Sequence, residues 1–233
     1  MKIGILVHGR HVEAMDWEKL AWGEAPHRLG VLPMMVLVAL NAGIENVAGI
    51  VFGTGASEKD GIKEAEYTKR LLLEHMGKLG EFELIKSHPR VQQNCDLVLL
   101  DKLFRGITCD IEAKNTDEEV ANAAKIFSQL GVDEVKQVTC GSHAPRCQLV
   151  QLKVRASGGI PRGQLWSCYG DDMAFAGSEV KDVAIMEPPH RGDDPMLSAP
   201  IHAYQVFPRF YEIPGAERKV AALRAISDVI QNA

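Results

Sequence analysis

The chain has 233 residues, of which 46% are hydrophobic and 24% charged, and its formal net charge is −5. That length and composition suit a globular protein with a sizeable core. The charge excludes a domain-wide basic field of the kind that holds nucleic acid or an anionic membrane, while leaving room for a local pocket that takes a small anion.

The chain opens on "KIGILVHG", a continuous apolar run that predicts a buried strand. "HRLGVLPMMVLVALNAG" predicts a buried helix stopped at Gly43 and kinked near Pro33. Its apolar part is too short to span a bilayer. "NVAGIVFGTG" predicts a second strand running into a glycine turn, and "EKDGIKEAEYTKRLLLEHMGK" an amphipathic helix. "FELIKS" and "CDLVLLD" read as strands, and "TCDIEA" as a short strand or a loop. "NTDEEVANAAKIFSQLG" predicts a helix capped by Asn115 or Thr116 and stopped at Gly131. "EVKQVTCG" is a strand, and "APRCQLVQLKVRAS" a helix with Pro145 in its first turn. "QLWSCYG" and "DVAIMEP" are late strands, "EPPHRGDDPMLSAP" is a long loop covering 187–200, and "AERKVAALRAISDVIQ" is a terminal helix.

Strand and helix alternate, which predicts an α/β fold: a Rossmann-like three-layer sandwich with a mainly parallel sheet. One domain, 1–233, is expected, with a core over 1–156 and an elaboration over 157–233. The five cysteines, Cys95, Cys109, Cys140, Cys147 and Cys168, show no CxxC spacing. Reduced thiols in a soluble cytoplasmic protein are expected, zinc is disfavoured, and Cys140 and Cys147 read as packing thiols. The short apolar N-terminus does not read as a signal peptide.

Ligands of open α/β sheets bind beyond the carboxyl ends of the strands. Four loops predicted at that edge carry polar or small residues: "HGRH" with His8 and Arg10; "GTGAS" with Gly53, Thr54, Gly55 and Ser57; "DIEAKNT" with Asp110, Glu112, Asn115 and Thr116; and "TCGSHAPR" with Thr139, His143 and Arg146. Each has a plain alternative. "GTGAS" is either a tight turn or a nest of backbone N–H groups at a helix start that holds phosphate or carboxylate. Asn115 and Thr116 are either helix caps or ligand donors. Asp110 and Glu112, if on one strand, share a face and form an acid/base pair or a metal perch. His143 and Arg146, if in one helical turn, form an acid/base group beside a forked anion donor; otherwise they are an exposed turn. The gathering of all four loops at one edge favours a single crevice.

The same segments resemble the YdcF/SanA/ElyC-like family of α/β proteins. Thr139, His143, Pro145 and Arg146 fit its Thr…His…Arg pattern without a gap. Glu64 stands at the Glu of its Ser-Glu-Ala helix, with Lys63 in place of Ser. Asn115, Thr116 and Glu118 match its Asn-Thr-x-Glu segment, where Asp110, Ala113 and Glu119 replace Glu, Ser and Asn. The resemblance covers the first two thirds of the chain and implies a Rossmann-like sheet with a polar pocket. It also brings in S-adenosylmethionine as a cofactor to weigh, because a soluble member is reported to bind it, whereas other members are membrane-anchored. This chain resembles the soluble branch.

The leading expectation is an enzyme, a hydrolase or transferase, acting on a phosphorylated or nucleotide-like metabolite. Glu64, Asp110, Glu112 and His143 are its acid/base candidates. The alternatives are a binding module for an adenosine-containing cofactor such as S-adenosylmethionine, and an interaction protein that has lost its chemistry. A homo-oligomer is open. A divalent metal gathered by His8, His11, Asp110 and His143 is open but unsignalled.

Overall fold

The computed structural model describes residues 1–9, 11, 12, 17–92, 97–141, 143–173 and 221. The chain divides into two compact units, Met1–Met173 and Ala174–Ala233. The expectation from sequence is a single domain with an elaboration from residue 157. The first unit instead continues to Met173, because the strand at 165–170 joins the same sheet as those before it. The expected strand "DVAIMEP", the loop 187–200 and the terminal helix lie outside the described residues, apart from Ala221.

Strand β1, Ile3–His8, is buried at every position, which explains its unbroken apolar sequence. Helix α1, Val31–Ala42, is apolar on nearly every side because it lies between the sheet and the short helix Trp17–Trp22. It ends at Gly43, whose φ of 80° suits glycine and whose N–H reaches the Leu40 carbonyl. Pro33 falls in its first turn, where a missing N–H breaks no helical bond, so the proline supplies no reason for a kink. Strand β2, Val47–Gly53, follows.

The stretch expected as one long helix from Glu58 begins differently. Glu58–Lys59 pairs antiparallel with Ile62–Lys63 across Asp60 and Gly61, both at positive φ, and only then does helix α2, Glu64–Glu74, start. An Asp-Gly pair at two left-handed positions is a hairpin signal, and it overrides the helical composition on either side.

Two expected strands are helices. "FELIKS" contains the helical turn Glu83–Lys86, and "CDLVLLD" runs into α3, Leu97–Arg105. In α3 Leu100 and Phe104 are buried while Val98 is 80% exposed, a spacing of four that fits a helix and not an alternating strand. Strand β3 is only Thr108–Cys109. Helix α4, Thr116–Gln129, strand β4, Glu134–Thr139, helix α5, Ala144–Ala156, and strand β5, Leu165–Gly170, complete the unit.

The strands form one parallel sheet in the order β3-β2-β1-β4-β5. Helices α1, α2 and α3 pack on one face, against Ile5, Val7, Ile50, Phe52 and Val138. Helices α4 and α5 pack on the other, against Leu6, Val51 and Val135. This is the expected Rossmann-like α/β sandwich. Among the described residues no helix is long and apolar enough to cross a membrane.

Candidate functional site

The sheet runs outward from β1 in both directions: the chain goes to β2 and β3 on one side, then returns to lay β4 and β5 on the other. Loops leaving β1 and β4 therefore part to opposite faces, and that opening at the carboxyl edge is where ligands of such sheets bind. His8 ends β1 and Thr139 ends β4, so the two outermost residues of the opening are both polar, and both are buried.

His8 anchors the inner wall. Its Nδ1–H donates to Glu119 Oε2 of α4 at 2.6 Å, and Nε2 lies 3.0 Å from Gln137 Oε1 of β4. Burial opposes a charged imidazole, but the Glu119 hydrogen bond and charge, with Gln137, outweigh it and raise the His8 pKa above its usual value. The His143 ring stands edge-on to His8 with 6.1 Å between centroids. His143 Nε2 lies 3.3 Å from the Thr116 hydroxyl, joining the start of α5 to the start of α4. Gln137 Nε2 is buried and meets no acceptor among the described residues, which leaves a donor in this wall.

Gly9 shows how tightly the β1 and β2 loops meet. A side chain there would come within 2.1 Å of Thr54 Cγ2 and 2.8 Å of Glu64 Oε1. Glu64 is almost wholly buried at the start of α2 and accepts from the Ser57 hydroxyl, which itself accepts from the Val12 N–H at 3.0 Å. Backbone bonds from Glu64 N to Ser57 O and from Ala65 N to Thr54 O fix the loop to the helix. Gly53 pairs in register with His8, and its bare Cα leaves room for Glu119.

The structure thus brings His8, Gly53, Thr54, Ser57, Glu64, Thr116, Thr139 and His143 to one edge of the sheet. The other candidates are placed differently. Gly55 donates its N–H to the Ala113 carbonyl, and no helix starts at 53–57, so this loop is not a nest at a helix N-terminus. Asp110 and Glu112 do not share a strand, because β3 ends at Cys109. Asp110 accepts from the N–H groups of Glu112 and Ala113 and from Asn122, while Glu112 is exposed. Asn115 caps α4: its Oδ1 accepts from Glu118 N and its Nδ2 donates to Glu118 Oε1. His143 is buried and Arg146 exposed, so they do not share one face. Arg10 lies outside the described residues. Among the described residues no three His, Cys, Asp or Glu side chains are placed to hold a metal ion.

Three residues outside the expected set belong to the frame of the site. Glu119 falls on the buried stripe of α4 with Thr116, Val120 and Ala123, and an acid on such a stripe signals a buried partner. Gln137 lies on the same face of β4 as buried Val135 and Thr139, which carries the same message. Asp171, just beyond β5, accepts from Gly141 N and holds the loop that leads to His143. Its position after a strand end gave little to single it out.

Comparison of the chain with protein-family models, with curated proteins and with solved structures found no match.

Proposed function

We propose that the protein is an enzyme acting on a phosphorylated or nucleotide-like metabolite, by hydrolysis or group transfer, at the opening between β1 and β4. The observation that carries this reading is the meeting of Glu64, Ser57, Thr116, His8 and His143, all buried, at that one point of the sheet. Buried polar side chains are costly unless they serve structure or chemistry, and a glutamate and a histidine at a strand edge are groups suited to moving a proton. Glu64 and His143 take the acid/base roles. Arg146 supplies positive charge from the first turn of α5, a helix with no acid in that turn. The resemblance of "TCGSHAPR" and "KNTDEE" to the YdcF/SanA/ElyC-like family supports the same edge of the sheet as the place of binding.

A thermal-shift panel of inorganic phosphate, nucleoside phosphates, sugar phosphates and S-adenosylmethionine tests the reading. A phosphorylated ligand at a hundredfold excess over Kd should add about 2.7 kcal/mol of stability. Arg146→Ala, at an exposed residue off the His143 face, should weaken that shift without abolishing it, and Glu64→Gln should lower turnover of the same compound by about 10²–10⁴-fold. A shift with S-adenosylmethionine alone would move the protein to the cofactor-binding class. A panel without any shift would remove the reading.

A further inference from the structure

Two thiols lie behind the histidine wall, and the proposed chemistry uses neither. Cys147 sits in the first turn of α5 and is fully buried; Cys168 sits on β5, the strand that α5 covers, and is part-exposed. Cys168 pairs in register with Gln137, on the face of the sheet that α5 covers, so both thiols belong to the contact between α5 and the sheet. Cys168 Sγ also lies 3.8 Å from the Ala144 carbonyl, in the same turn of α5 as Cys147. Neither is bridged in this structure.

We propose that Cys147 and Cys168 are a redox-active dithiol, oxidised by hydrogen peroxide to a disulfide that ties α5 to β5. The asymmetry of the pair sets the order of events. Cys168 is the sulfur an oxidant can reach, and Cys147 waits behind it. The neighbouring Cys147 thiol holds the Cys168 thiol below its usual pKa against the opposing effect of burial, and the charge on His8 acts in the same direction. Burial holds the Cys147 thiol well above its usual pKa. The nucleophile is therefore Cys168 and the resolving thiol Cys147.

In the first step the Cys168 thiolate attacks one peroxide oxygen, the O–O bond breaks, and hydroxide leaves behind a sulfenic acid. In the second, the Cys147 sulfur displaces the sulfenic hydroxyl, which departs as water with the Cys147 proton, and the S–S bond forms. Two electrons pass from the two sulfurs to the peroxide. The hydroxide takes up the proton that Cys168 had lost, so two waters are the only by-products. The bridge fixes the first turn of α5, the turn that follows His143, onto the sheet.

The test uses the full chain, reduced and then treated with hydrogen peroxide. The intact mass should fall by about 2 Da, as one dithiol closes, and the protein should take two fewer maleimides than its five cysteines when denatured and alkylated. Trypsin separates the candidates, because Cys140, Cys147 and Cys168 fall in different peptides, divided at Arg146 and Arg162. The expected product is the Cys147 peptide joined to the Cys168 peptide. Cys168→Ser should abolish it and Cys140→Ser should leave it. A bridge to Cys140, Cys109 or Cys95, or oxygen added to Cys168 with no bridge, would overturn the proposal. The wild-type map decides the matter even where a buried-thiol variant fails to fold.

Discussion

At the scale of single residues, the His8–Glu119 pair ties the end of β1 to α4. Both groups are buried, so removing one strands the other, at a cost of about 3–5 kcal/mol. The pH dependence follows from the raised pKa of His8. A histidine whose folded pKa lies above its unfolded value contributes stability that is fully present below the unfolded value and lost as pH rises through the folded one. Glu119→Gln should therefore cost most in urea unfolding near pH 6 and clearly less near pH 9. Equal costs at the two pH values would show that the imidazole is neutral in the folded protein. His8 itself was legible in the sequence as a polar end to an apolar strand. Its partner was not, because an acid in the first turn of a helix already has a local explanation in the helix dipole.

At the scale of elements, the helices of the second half were legible because their ends carry chemical punctuation. Asn115 before an acidic turn predicts a cap, and the cap forms, with Glu118 answering it. Asn115→Ala should lower stability by about 1 kcal/mol in urea unfolding. It should leave ligand affinity unchanged, since both ends of the amide are occupied by the cap. An affinity loss larger than the stability loss would return Asn115 to the ligand. The segment 80–108 was misjudged for a physical reason. "FELIKS" and "CDLVLLD" are short apolar runs without caps, and such runs fit a strand or a buried helical face equally well until their neighbours are known. The Asp60-Gly61 hairpin was missed because strong helix formers surround it, although its two left-handed positions are set by local sterics that no propensity sum includes.

At the scale of the whole unit, the alternation of strand and helix predicted the layers, and the parallel sheet follows from it. The two faces differ in character. The α1–α3 face is a large apolar core, whereas the α4–α5 face combines a smaller core with the His8, Glu119, Gln137 and Cys147 polar wall. That division was not legible, since it depends on which loop crosses to which side. Leu6, on the central strand and wholly buried against α4, belongs to the smaller core. Leu6→Ala should cost about 2–5 kcal/mol of global stability, and Val98→Ala, on an exposed face, should stay within about 0.5 kcal/mol. Circular-dichroism melts of the two variants check both values.

The approach of Gly55 to Ile111 has a consequence for anyone re-engineering this edge. A Cβ at position 55 would sit 1.7 Å from the Ile111 carbonyl oxygen, while the Gly55 amide is tied to Ala113. The turn after β2 and the turn after β3 are consequently interlocked main chain against main chain. Lengthening or grafting either one in isolation pries apart its mate, so a designer reshaping this edge must transplant the two as a matched pair.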